Sequence, residues 1–141
     1  MNKNAASKVC LPTVLVVSND QSILINAPST IDSLNQVCIP ILEATQVISW
    51  VQEHQPDLII LDVCWSEVIN MQLNAALRLD WLTRNIPILV IASSDTQQCH
   101  SLAKLDYDAC LVRPYEPEEL AQTVFSLISN SACEMHSKII Y

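Results

Sequence analysis

"LIILDVCW", residues Leu58–Trp65, sets an acidic side chain, Asp62, at the end of four branched apolar residues. A charge is costly to bury unless it is paired or the chain leaves the core at that point. Asp62 therefore marks either the mouth of a buried strand, where chemistry can be placed, or a cap. The run before it decides the fold. An apolar stretch without alternation is what a strand buried on both faces looks like, and such strands belong to parallel sheets covered by helices.

Three more runs read the same way: "TVLVV" (Thr13–Val17), "IPILVIA" (Ile86–Ala92) and "ACLV" (Ala109–Val112). Helix-length amphipathic stretches separate them. "TQVISWVQEHQ" carries Val47, Trp50 and Val51 at helical spacing and is followed by Pro56, a stop signal. "EVINMQLNAALRLDWL" and "DTQQCHSLAKLD" supply two more helices, the latter capped by Asp95. "EPEELAQTVFSLISN" opens with Pro117 in a first turn, where Glu118 and Glu119 suit the helix dipole. In "NAPST" (Asn26–Thr30), Pro28 interrupts the helix expected after the first strand. A further strand, "VCIPI" (Val37–Ile41), contains Pro40, which cannot donate to a ladder and belongs on an edge. The pattern is β-α repeated about five times, which right-handed crossovers turn into a doubly wound sheet. We therefore expect an α/β, flavodoxin-like three-layer sandwich, with a five-stranded parallel sheet in order 2-1-3-4-5 whose second strand is an edge.

Composition narrows the function. A chain of 141 residues, half of them hydrophobic, can bury one sizeable core. With 15 acidic residues against 7 scattered basic ones, and a net charge of -8, it is no nucleic-acid module, because phosphate contacts need clustered Lys and Arg. The charged fraction of 16% is low against a usual ~25%, which favours a face covered by a partner. There is no glycine, where ordinary usage gives about ten. Walker loops, Rossmann fingerprints, nucleophile elbows and the Gly-rich phosphate loop of a flavin carrier are all excluded. Positions needing positive φ must be filled by Asn or Asp, or be rebuilt. None of the six cysteines pairs in C-x-x-C spacing, so no zinc site is expected; Cys38, Cys64 and Cys110 lie in or beside apolar runs and read as packed thiols in a reducing cytosol. No run approaches the ~18 apolar residues of a membrane span.

In open α/β sheets the functional crevice lies beyond the carboxyl ends of the strands. Ser18, Asn19 and Asp20 follow the first strand, Asp62 ends the third, Ala92 and Ser93 end the fourth, and Arg113 and Pro114 follow the fifth. All converge around one carboxylate. The blocks "VLVVSND", "PDLIILDV", "IPILVIAS" and "VRPYEPEEL" make the chain from about Pro12 to Asn130 resemble the receiver domain of two-component response regulators. Residues 1–11 then form an extension and 131–141 a tail.

The resemblance implies that Asp62 stands where such receivers accept a phosphoryl group from a sensor kinase's phosphohistidine. There the same aspartate, an acidic pair after the first strand and a backbone carbonyl hold Mg²⁺. Here Ser18 and Asn19 stand at the acidic pair, with Asp20 displaced by one position. The phosphoryl-binding hydroxyl falls on Ala92, with Ser93 offset to the other face of the strand. The aromatic switch position falls on Cys110, and the lysine of the Lys-Pro pair on Arg113, which keeps the charge with a different donor geometry.

Every partner of Asp62 is altered while Asp62 remains, the pattern of a pseudo-receiver. We expect a non-enzymatic, cytoplasmic signalling module that works through protein contacts. Arg113 should neutralise Asp62 directly, with no metal or other cofactor. The alternative is a competent receiver in which Asp62 takes phosphate with Mg²⁺. Trp65, three residues past Asp62, is a candidate partner contact; Trp50 reads as core or helix flank, and His54 and His100 as solvated. Expected partners are signalling proteins, a sensor kinase or an output protein, or a second copy through the helix after the fourth strand, the fifth strand and the segment holding Ala121, Val124 and Ile128. Neither nucleic acid nor membrane is expected.

Overall fold

The computed structural model describes residues 12–18, 35–39, 44–63, 67–93 and 102–140, with side chains at all of these but 44, 67–69 and 131–140. The described elements are β1 (Thr13–Val17), β2 (Asn35–Ile39), α1 (Ala44–His54), β3 (Leu58–Asp62), α2 (Glu67–Leu79), β4 (Ile88–Ala92), β5 (Ala109–Val112) and α3 (Pro117–Ile140). The strands form one parallel sheet in the order β2-β1-β3-β4-β5. This is the expected flavodoxin-like order, with β2 at an edge. The expected helix before β2, with "NAPST", and most of the one before β5, with Asp95 and His100, lie outside the described residues.

The unbroken apolar runs divide by residue parity between two cores. Leu15, Val17, Ile59, Leu61, Ile88, Val90 and Ala92 face α1 and α2 through Val47, Val51, Leu73 and Leu77. Val14, Val16, Leu58, Ile60, Leu89 and Ile91 face α3 through Leu120 and Val124. The three central strands are thus buried on both sides, and each fully buried Leu or Ile contributes about 1.5–3 kcal/mol. Trp50 packs on the first core and stacks on the exposed His54, 4.2 Å between ring centres.

Several element ends depart from expectation, and β4 opens at Ile88 rather than Ile86. β2 spans Asn35–Ile39 rather than Val37–Ile41. Its ladder is anchored early, by the Asn35 N–H on the Pro12 carbonyl (2.8 Å), and Pro40 lies outside the described residues. α1 stops at His54 because Gln55 turns to φ 49°, the left-handed region. In a chain without glycine this position falls to neither Asn nor Asp; the Gln55 side chain donates to the Val51 and Gln52 carbonyls instead, at 3.4 and 3.2 Å. α2 ends at Leu79, not Leu82. Asp80 opens a turn there, its carbonyl accepting from the Thr83 and Arg84 N–H groups (3.0 and 2.8 Å). The Leu82 N–H and the Gln52 amide hold the Asp80 carboxyl below the usual carboxylate range. Finally, α3 runs past Asn130 to Ile140.

Candidate functional site: a carboxylate held at the mouth of β3

Asp62 is the last residue of β3 and fully buried. Its parity follows Leu58 and Ile60 toward the α3 side, and it lies in register with Ile91. Ser18, one residue past β1, follows Val14 and Val16 on that side and is also buried. Arg113, one past β5, is positioned by its own N–H on the Ala92 carbonyl (2.8 Å), while Ser18 and Val63 donate their N–H groups to Ile39 and Ile91 (3.1 and 3.0 Å). The ends of five parallel strands thus set three side chains in one place. None of them needs a glycine turn to get there.

The Ser18 hydroxyl donates to Asp62 Oδ2 at 2.6 Å. Arg113 forks across the carboxylate, Nη1 to Oδ1 at 3.2 Å and Nη2 to Oδ2 at 3.3 Å. The Asp62 side chain is 1% exposed and that of Arg113 28%, so water reaches the guanidinium but not the acid. A bidentate pair of this kind fixes orientation as well as charge. Both carboxylate oxygens are therefore engaged.

Two residues at the site escaped the sequence reading. Asn70, on α2, donates its amide to the Asp62 backbone carbonyl (3.4 Å), tying the strand mouth to the helix. The signal was present: Asn70 and Asn74 interrupt the stripe that Leu73 and Leu77 continue, and all four are buried. Cys38, on β2, places its thiol 3.6 Å from the Ser18 carbonyl. Nothing in an edge-strand cysteine announced that.

Of the other anticipated positions, Ala92 is buried with Val90 on the α1–α2 side, opposite in parity to Asp62. Ser93, half-buried, lies one residue past the end of β4. Cys110 is half-buried against the α1–α2 core. Pro114 is exposed and follows Arg113 through a cis peptide. Asn19, Asp20 and Trp65 lie outside the described residues.

The described donors do not fit a resident Mg²⁺. Such a hard cation selects several charged oxygens in near-octahedral geometry, and what is present is one carboxylate already shared with a guanidinium, plus a neutral hydroxyl. Among the described residues, no group of three His, Cys, Asp or Glu side chains is placed to hold a metal, and no helix is long and apolar enough to cross a membrane.

A parallel sheet in this order, with helices on both faces, is a doubly wound fold of the flavodoxin-like type. Residues 14–125 match the family model of the response regulator receiver domain, and the chain belongs to that family. Among solved structures it is similar to the chemotaxis response regulator CheY4 of Vibrio cholerae (20% identity, TM-score 0.68, covering 84% of this chain and 99% of that one). It is likewise similar to a response regulator from Desulfuromonas acetoxidans (14% identity, TM-score 0.67, 84% and 97%). A third is the receiver domain of a signal transduction histidine kinase from Syntrophus aciditrophicus (20% identity, TM-score 0.72, 84% and 91%). No curated protein matches it.

Proposed function

We propose that this chain is a receiver-type signalling module that works through protein contacts, independently of a phosphorylation cycle on Asp62. One observation carries the reading: Asp62 is buried with both oxygens bonded, to Arg113 and to Ser18. A receiver that takes up phosphate needs that carboxylate free to attack, and needs a dication to offset the crowding of negative charge. Here a guanidinium supplies the positive charge permanently. The competing reading, a competent receiver, rests on the survival of Asp62 at the mouth of β3 and on the cation beside it. The two differ in metal affinity. Titrating Mg²⁺ to several millimolar while following the fluorescence of Trp65, close to Asp62 in sequence, is expected to give no saturable change. A hyperbolic change lost in Asp62→Asn would favour the competent reading.

For the partner we infer a face built on β5 and the adjoining part of α3, open to a signalling protein or a second copy. Val112 is 47% exposed in a strand that is otherwise half-buried, and Tyr107, two residues before that strand, is 36% exposed. Of the α3 residues anticipated there, Val124 is in the core and Ile128 packs against it, which leaves Ala121. Light scattering at high micromolar concentration is expected to show self-association that Val112→Asp abolishes. A monomer throughout would remove the second copy from this proposal.

A further inference from the structure

The far half of α3 outruns the sheet on which the helix packs. The helix has 24 residues, about 36 Å of axis, whereas the five residues of β1 or β3 span roughly 17 Å. Its buried residues, Leu120 and Val124, and the half-buried Leu127 and Ile128 beside them, fill only its first half. The 12 residues after Ile128 carry the backbone helix about 18 Å further.

A helix of about a dozen residues standing in water is marginal, and most helices in proteins take their stability from a packed apolar face. The sequence supplies one. Ala121, Phe125, Ile128, Ala132, Met135 and Ile139 follow one another at steps of 4, 3, 4, 3 and 4, so they share a single stripe. Its first three members are half-buried, on the flank of the core-facing line of Leu120 and Val124. Its last three fall on the overhanging half.

We propose that this stripe pairs with the same stripe of a second copy, joining two chains helix to helix. The alternating 4-3 step is the repeat of a seam between helices, and a helix paired with its own copy across a two-fold axis needs only one such stripe. Charge permits the approach. Each copy carries a net charge of -8, yet the positions flanking the stripe on the overhang, Ser129, Ser131, His136 and Lys138, include no acid. Two acidic chains therefore set no carboxylates against each other along that line. The seam is short, but the first half of each helix is already held by its own body, so the costly nucleation step is complete before the two meet. The pairing is separate from the β5 face inferred above.

The test is sedimentation equilibrium of the full chain from low to high micromolar concentration. A dimer is expected whose Kd rises about tenfold or more in Met135→Glu and in Ile139→Glu, because a carboxylate on the seam must be desolvated or the seam opened. Ser137→Glu, on the opposite side of the helix, should leave the Kd within about twofold. Met135→Leu should keep the dimer, which separates loss of the seam from loss of folding. A monomer at every concentration would overturn the proposal, as would a dimer equally tight in Ile139→Glu. A dimer dispersed by Val112→Asp but indifferent to Met135→Glu and Ile139→Glu would also overturn it, and would leave the β5 face as the contact.

Discussion

Arg113→Ala is expected to lower folding stability by about 2–4 kcal/mol, which for a domain of this size moves the thermal midpoint down by roughly 5–15 °C. The cost arises less from losing an attraction than from what is left behind. Asp62 stays buried at the mouth of β3 with the Ser18 hydroxyl as its remaining bond at Oδ2 among those described here. Breaking a buried pair by removing one partner typically costs 3–5 kcal/mol, and the 28% exposure of the Arg113 side chain, which admits water, places this case toward the lower end. Arg113→Lys should recover part of the loss, since one ammonium cannot span both oxygens. In Asp62→Asn the buried charge is gone, and adding Arg113→Ala should then cost well under half as much. Urea unfolding with an unchanged m-value is the measurement. A single-variant effect within about 0.5 kcal/mol, the range of ordinary surface changes, would show that the pair does not hold the site.

Arg78→Ala is expected to cost about 3 kcal/mol, through the opposite end of the sheet. This guanidinium, 17% exposed, joins three segments that the sequence keeps apart. It binds the Arg84 and Ile86 carbonyls of the turn into β4 at 2.7 and 3.0 Å, the Asp106 carbonyl at 3.3 Å, and the Asp108 carboxylate before β5 at 2.8 Å. Asp108 in turn accepts the Ile88 N–H that opens β4 (2.8 Å), and Asn74 pairs with the Asp106 backbone in both directions at 2.9 Å. Removing Arg78 strips several carbonyls at once and loosens the acid that starts β4. Arg78→Lys should restore less than half, because the fork reaches acceptors that one ammonium cannot serve together. Thermal unfolding separates the two cases. A full rescue by lysine would mean that charge alone, not geometry, does the holding.

The sheet was legible because burial on both faces leaves a continuous apolar signature. The runs Thr13–Val17, Leu58–Asp62 and Ala109–Val112 were read close to their ends. The pairing of Asp62 with Arg113 was readable from topology, since both close strands that share a mouth. Boundaries set by single hydrogen bonds were not readable. The run "ALRLDWL" keeps a helical pattern through Leu82, yet the Asp80 side chain captures the Leu82 N–H and ends the helix three residues sooner. The left-handed turn at Gln55 likewise depends on a local cap rather than on a residue that prefers it.

The central claim is that Asp62 is a structural partner of Arg113 and Ser18 and not a phosphoryl acceptor. It is tested most directly by incubating the protein with acetyl phosphate and excess Mg²⁺ and recording its intact mass. The account predicts an unmodified chain, and an unmodified Asp62→Asn control. An added mass of one phosphoryl group, present in the native chain and absent in Asp62→Asn, would contradict it and establish a competent receiver.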